Sequence, residues 1–135
     1  MTPGFLAAVI DTLLPGDEAL PSGTAARILP PGMEEAHRSI LDAIAAEAGG
    51  IAAFVHAGES TRAAVVGRVE RTAPDRFRAL LVALSSDYYE SATVLTALGW
   101  RIEAPQPAGH SIPHGIDTMA PQLERVRSRG KLWRG

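Results

Sequence analysis

Between Phe77 and Tyr88 the apolar residues Phe77, Leu80, Leu81, Leu84 and Tyr88 follow one another at steps of three, one, three and four. Such spacing lays one continuous stripe along an α-helix, whereas on a strand it would scatter over both faces. Leu6, Val9, Ile10 and Leu13 repeat the pattern near the start. Ile40, Leu41, Ile44, Ala45 and Ala48 repeat it further on, followed by Val65, Val66 and Val69. No apolar–polar alternation runs beyond four residues, and there is no internal repeat. The spacing therefore predicts an all-α fold, a small helical domain of about five to seven helices with a proline-rich, extended C-terminal arm.

Capping and breaking residues place the elements. Thr2 suits an N-cap and Pro3 the first helical position, and Pro15-Gly16-Asp17 stops that helix. A loop follows to Gly23, then a short helix from Thr24 to Leu29, then the Pro30-Pro31-Gly32 break. The next helix is expected from Glu34 to Ala48, with Glu34 and Glu35 in its first turn and Gly49 just past its end. Ile51 to Ala57 is too short for periodicity to decide, and Ala52 and Ala53 favour helix. Ser60 is expected to cap a helix through Arg71, with Gly67 marking a close helix crossing. Thr72 is expected to cap the helix from Pro74 to Tyr89. Ser91 recaps a last turn or two through Leu98, ended by Gly99.

Beyond Gly99 the character changes. Pro105, Pro107, Gly109, Pro113 and Gly115 exclude a long helix and a central strand from residues 101–116. Asp117 is expected to cap a short terminal helix that ends at Gly130, with Leu123 and Val126 inward. The organisation read from the sequence is one helical domain over 1–135: a core at 1–99, an arm at 100–116 and a terminal helix at 117–130.

Composition removes several function classes. The 135 residues include no cysteine, which excludes disulfides, thiolate zinc sites, cysteine-held iron–sulfur clusters, covalent haem and a cysteine nucleophile. Aromatic residues make up 5%, so the core is expected to be mostly Ala, Val, Ile and Leu. No run of about 20 apolar residues occurs, so no direct membrane insertion is expected. Met1 to Leu14 lacks a preceding basic residue and a small-residue cleavage site, and Asp11 interrupts it. It reads as a mature helix. The expected location is cytoplasmic, or periplasmic if the chain is exported with a partner that carries the signal.

Charge is unevenly spread. Residues 1–58 carry seven acids against two bases, a net −5, and residues 101–135 carry three acids against six bases, a net +3. Arg125, Arg127, Arg129, Lys131 and Arg134 suit a solvated helix end, where cations favour the macrodipole, or a partner contact. With no interleaving of aromatic and basic residues, no nucleic-acid partner is expected.

Candidate chemistry is sparse. His110 and His114 stand four apart, a spacing that shares a metal ion when both lie on one helical face, but Pro113 and the flanking glycines break such a helix. His37 and His56 are isolated. Asp87-Tyr88-Tyr89-Glu90 offers two carboxylates and two phenols, read as one phenol inward and one outward. Ser85-Ser86 has no nucleophile-elbow motif, and no phosphate-cradling glycine loop is present. No catalytic, cofactor-binding or metal-ligating residue is assigned. Trp100 and Trp133 bracket the proline-rich tail, and tryptophan is enriched where interfaces are anchored. The expected partner-binding set is Trp100, Pro105, Pro107, His110, His114 and Trp133. Two alternatives stay open: the tail folds back as a lid on its own core, or the chain is a stand-alone small enzyme or ligand-binding protein with a pocket near Tyr88, His110 and His114.

Several segments together carry a family resemblance. They are Val9-Ile10-Asp11-Thr12-Leu13-Leu14-Pro15-Gly16-Asp17; Tyr88-Tyr89; Val94 through Leu98-Gly99-Trp100; Pro105-x-Pro107-x-Gly109-His110; and Leu123 through Val126-x-x-Arg129 with Trp133-Arg134. In these the chain resembles the gluconate 2-dehydrogenase subunit 3 family. The resemblance implies a non-catalytic accessory subunit of a larger FAD-dependent sugar or alcohol dehydrogenase of the glucose–methanol–choline type. It also implies that FAD sits in the partner and that no cofactor is held by this chain.

Overall fold

The computed structural model describes residues 1–28, 32–103, 109 and 115–129, the last stretch with side chains from Ala120 onward. The described residues form eight helices and no strand: α1 (Pro3–Leu13), α2 (Met33–Ala36), α3 (Arg38–Glu47), α4 (Ile51–His56), α5 (Glu59–Thr72), α6 (Pro74–Glu90), α7 (Ala92–Ala97) and α8 (Gly115–Ser128). The all-α class read from the periodicity is the observed one. The chain packs as two compact units, Met1–Ile102 and Glu103–Gly135.

In the first unit α5 lies against α1, α3 and α6, while α4 packs on α1 and α3, and α7 on α6. The stripes named above line the core, with Leu6, Val9 and Ile10 from α1, Ile40, Leu41 and Ile44 from α3, and Leu80 and Leu84 from α6, and Phe5 of α1 joins them. Phe54 of α4 is fully buried and meets Phe5 edge-on, ring centroids 5.5 Å apart. Each such side chain contributes about 1.5–3 kcal/mol through burial. Helix α1 starts as its residues dictate: Thr2 Oγ1 accepts the Phe5 amide at 3.3 Å and Pro3 takes the first position. Two helices close on a glycine. Gly49 (φ +82°) follows α3, and its N–H donates to Ala46 O while Gly50 N–H donates to Ala45 O. This paired arrangement satisfies two carbonyls that the helix end would otherwise leave open.

Several expectations are corrected. The Glu34–Ala48 helix is interrupted at His37 (φ −115°, ψ 17°), which divides it into α2 and α3. Thr24 to Leu29 is not a helix over its described part. One turn forms and then closes, with Arg27 left-handed (φ 58°), Arg27 N–H on Thr24 O and Ile28 N–H on Gly23 O. Neither Ser60 nor Thr72 is a cap. Helix α5 begins one residue before Ser60, after Gly58. Thr72 is still helical, so its hydroxyl turns back to the carbonyls of Arg68 and Val69, and Ala73 alone separates α5 from α6. Gly67 marks no close crossing: a Cβ there would meet only the Arg71 guanidinium, at 3.7 Å.

Helix α8 begins at Gly115, so Asp117 lies inside its first turn instead of capping it. Leu123 and Val126, expected inward, are 49% and 56% exposed. Pro121 sits inside α8, where a missing amide donor and the ring's clash with the preceding turn cost about 3 kcal/mol. The arm expected over 100–116 lies largely outside the described residues.

Candidate functional site

The segment from Asp11 to Ile28 is held by side chains that the sequence pattern alone did not connect. Asp11 turns its carboxylate to Thr24, accepting its amide at 2.9 Å and its hydroxyl at 2.8 and 2.7 Å. Asp17 accepts the amides of Ala19 and Leu20 at 2.7 and 2.8 Å. Those amides, Leu20 first, hold its carboxyl below the usual aspartate value. Gly16 is left-handed (φ +72°) and so close to the returning chain that a Cβ would stand 2.5 Å from Ser22 N. From the far side, Tyr88 donates its hydroxyl to Pro21 O at 2.6 Å and Ser91 donates to Ala26 O at 2.9 Å. The Pro-Gly-Asp turn is therefore a clasp that joins α1 to the α6–α7 junction.

Tyr88 and Tyr89 divide as expected, one buried and one 55% exposed. Burial raises the Tyr88 phenol above its ordinary value, with the neighbouring Tyr89 and Asp17 adding to the shift. A cleft of about 340 Å³ lies beside the clasp, lined by Asp11, Thr12, Pro15, Ser22, Glu59 and Arg62. Its principal charges serve the fold. Asp11 holds Thr24, and Arg62 donates to Phe54 O at 3.1 Å and to Val55 O at 2.6 Å, tying down the last turn of α4. Among the described residues no three His, Asp or Glu side chains gather into a group able to hold a metal ion. No described helix is long and apolar enough to cross a membrane.

Among the described residues of the first unit, the exposed large apolar side chains come from residues 82–102: Val82, Tyr89, Leu98, Trp100 and Ile102. Trp100 is 69% exposed. Its backbone is fixed nonetheless. Gly99 (φ +75°) ends α7, its N–H donates to Thr96 O at 2.9 Å, and Trp100 N–H donates to Leu95 O at 2.8 Å. A side chain of about 200 Å² left two-thirds in water forgoes about 3 kcal/mol of burial.

Of the expected partner-binding residues, Trp100 is described and is exposed. Pro105, Pro107, His110, His114 and Trp133 lie outside the described residues. Sequence reasoning did not find the exposure of Val82, Leu98 and Ile102. The signal was present for Val82, which stands opposite the buried stripe of α6. Comparisons of the chain with known protein families, with curated proteins and with solved structures return no match.

Proposed function

We propose that this chain is a non-catalytic accessory subunit that binds and supports a larger FAD-dependent dehydrogenase of the glucose–methanol–choline type, acting on a sugar or alcohol. The reading starts from the sequence resemblance. The observation that carries it is Trp100, held on a hydrogen-bonded turn yet 69% exposed, in the stretch of residues 82–102 that also exposes Val82 and Tyr89 of α6 and Leu98 and Ile102 after α7. A tryptophan with an ordered backbone loses little further freedom when a partner covers it, so its burial goes largely into association. The flavin belongs to the partner in this proposal, and this chain supplies shape and apolar area.

The test is co-expression of the full chain with the larger flavoprotein dehydrogenase of its own source. The proposal expects the two to elute together with flavin in the large chain, and expects soluble flavoprotein to fall when this chain is omitted. Separate elution, with the flavoprotein equally soluble alone, overturns it. Flavin retained by this chain in the absence of any larger one overturns it as well.

A further inference from the structure

A second cleft, of about 300 Å³, opens between α1 and the turn at residues 24–28. Pro3, Ala7, Ile10 and Ile28 give it apolar walls, and Thr24 and Arg27 complete the lining. Ile10 and Ile28 are buried, Ala7 is half-buried and Arg27 is exposed. The Thr24 hydroxyl is already committed to the Asp11 carboxylate, which lines the other cleft. Among the described residues Arg27 is therefore the one charged group on this lining, and no carboxylate or carbonyl pairs with its guanidinium.

The backbone at Arg27 is unusual too. Among the described residues it is the one non-glycine with a positive φ, +58°. A Cβ is disfavoured there, and glycine is the ordinary occupant. The neighbours fix that conformation: Arg27 N–H donates to Thr24 O, Ile28 N–H to Gly23 O, and the Ser91 hydroxyl to Ala26 O. A left-handed position that packing would give to glycine carries an exposed, unpaired arginine at the edge of an apolar cleft. Strain of this kind gathers at ligand clamps. We infer that the cleft binds a small aliphatic monocarboxylate, with its chain along Ala7, Ile10 and Ile28 and its carboxylate on the Arg27 guanidinium. The volume stands at the low end of small-molecule sites, which suits a short chain. A planar guanidinium takes a carboxylate through two parallel N–H···O bonds, and one cation with no second charge beside it matches a monoanion. The inference is independent of the accessory-subunit reading.

The experiment titrates hexanoate into the full chain and follows backbone amide chemical shifts, with butyrate and hexanol as comparisons. The variants are Arg27→Gly, which relaxes the backbone and removes the charge, and Ala7→Leu, which fills the cleft from a half-buried helical position. The inference expects saturable shifts at the amides of Ala7, Thr24 and Ile28, with hexanoate bound about tenfold more tightly than butyrate through its two extra methylenes. Hexanol, which has no carboxylate, should bind at least about tenfold more weakly than hexanoate. Arg27→Gly should melt at or above the wild-type temperature and still bind hexanoate at least about tenfold more weakly, a pairing that a merely structural arginine would not give. Ala7→Leu should melt like the wild type and lose the shifts; if it does not fold, Arg27→Gly decides. No saturable shift in the wild type, hexanol bound as tightly as hexanoate, or Arg27→Gly binding as tightly as the wild type each overturns the inference, and the accessory-subunit reading is untouched by any of them.

Discussion

Gly16→Ala tests whether the Pro-Gly-Asp clasp is a steric necessity, and Gly49→Ala is its control. Both glycines are left-handed, at φ +72° and +82°. Both substitutions therefore carry the cost of placing a Cβ in that region, about 1–2 kcal/mol, offset by about 0.4–1 kcal/mol from a stiffer unfolded chain. Their surroundings differ. Around Gly49 nothing stands within 4 Å of the new carbon, while at Gly16 it meets Ser22 N at 2.5 Å, Pro21 C at 2.7 Å and Leu20 O at 2.8 Å. All three are backbone atoms, so no side chain can rotate away. The loop must open, and it is the loop that Tyr88 grips through Pro21 O. Overpacking of this kind costs about 1–3 kcal/mol. The expected losses are about 1 kcal/mol for Gly49→Ala and about 2–4 kcal/mol for Gly16→Ala, measured by urea unfolding with unchanged slope. Equal losses in the two variants would refute the steric reasoning and leave only the backbone angle.

Other outcomes follow from the same contacts. Tyr88→Phe removes the donor to Pro21 O and leaves a half-buried carbonyl without it, so unfolding should become easier by about 1–2 kcal/mol, read as a melting point lower by several degrees. Asp17 has a folded pKa below its unfolded value, so its contribution is complete above about pH 4 and is lost as pH falls through the folded value. Asp17→Ala should therefore lower stability at pH 7 and flatten the acid limb of the stability–pH curve; a parallel curve would contradict this. Tyr88 titrates above its unfolded value of 10.0, so its contribution holds below that pH and is lost as pH rises further. A chain of residues 1–102 should fold cooperatively without the rest, since that unit holds the whole described core, and a non-cooperative melt would count against two separate units.

Much of the helical architecture was legible because apolar spacing reports which face of a helix turns inward. The same spacing does not report whether the chain contains what covers that face. Leu123 and Val126 have the spacing of core residues and stand in water. Local signals failed where one residue serves two elements. Thr72 looks like a cap, yet the helix before it does not release it, and Ser91 follows α6 but sends its hydroxyl to Ala26, 65 residues away. The clasp was half visible. Pro15-Gly16-Asp17 announces a turn, but Asp11–Thr24 and Tyr88–Pro21 are contacts between distant positions, and nothing local in the sequence marks them. Trp100 was found by residue type alone, and the turn at Gly99 that presents it was foreshadowed by the glycine.

The most direct test of the account measures Trp100→Ala twice, by thermal melting of the isolated chain and by affinity for the proposed flavoprotein partner. An indole 69% exposed contributes little to its own core, so melting should stay within about 2 °C of the wild type. Loss of an anchoring tryptophan should weaken association by at least about 2 kcal/mol, roughly thirtyfold in Kd. A melting point that drops sharply while the complex forms as before would contradict the account, making Trp100 part of the chain's own packing and placing the interface elsewhere.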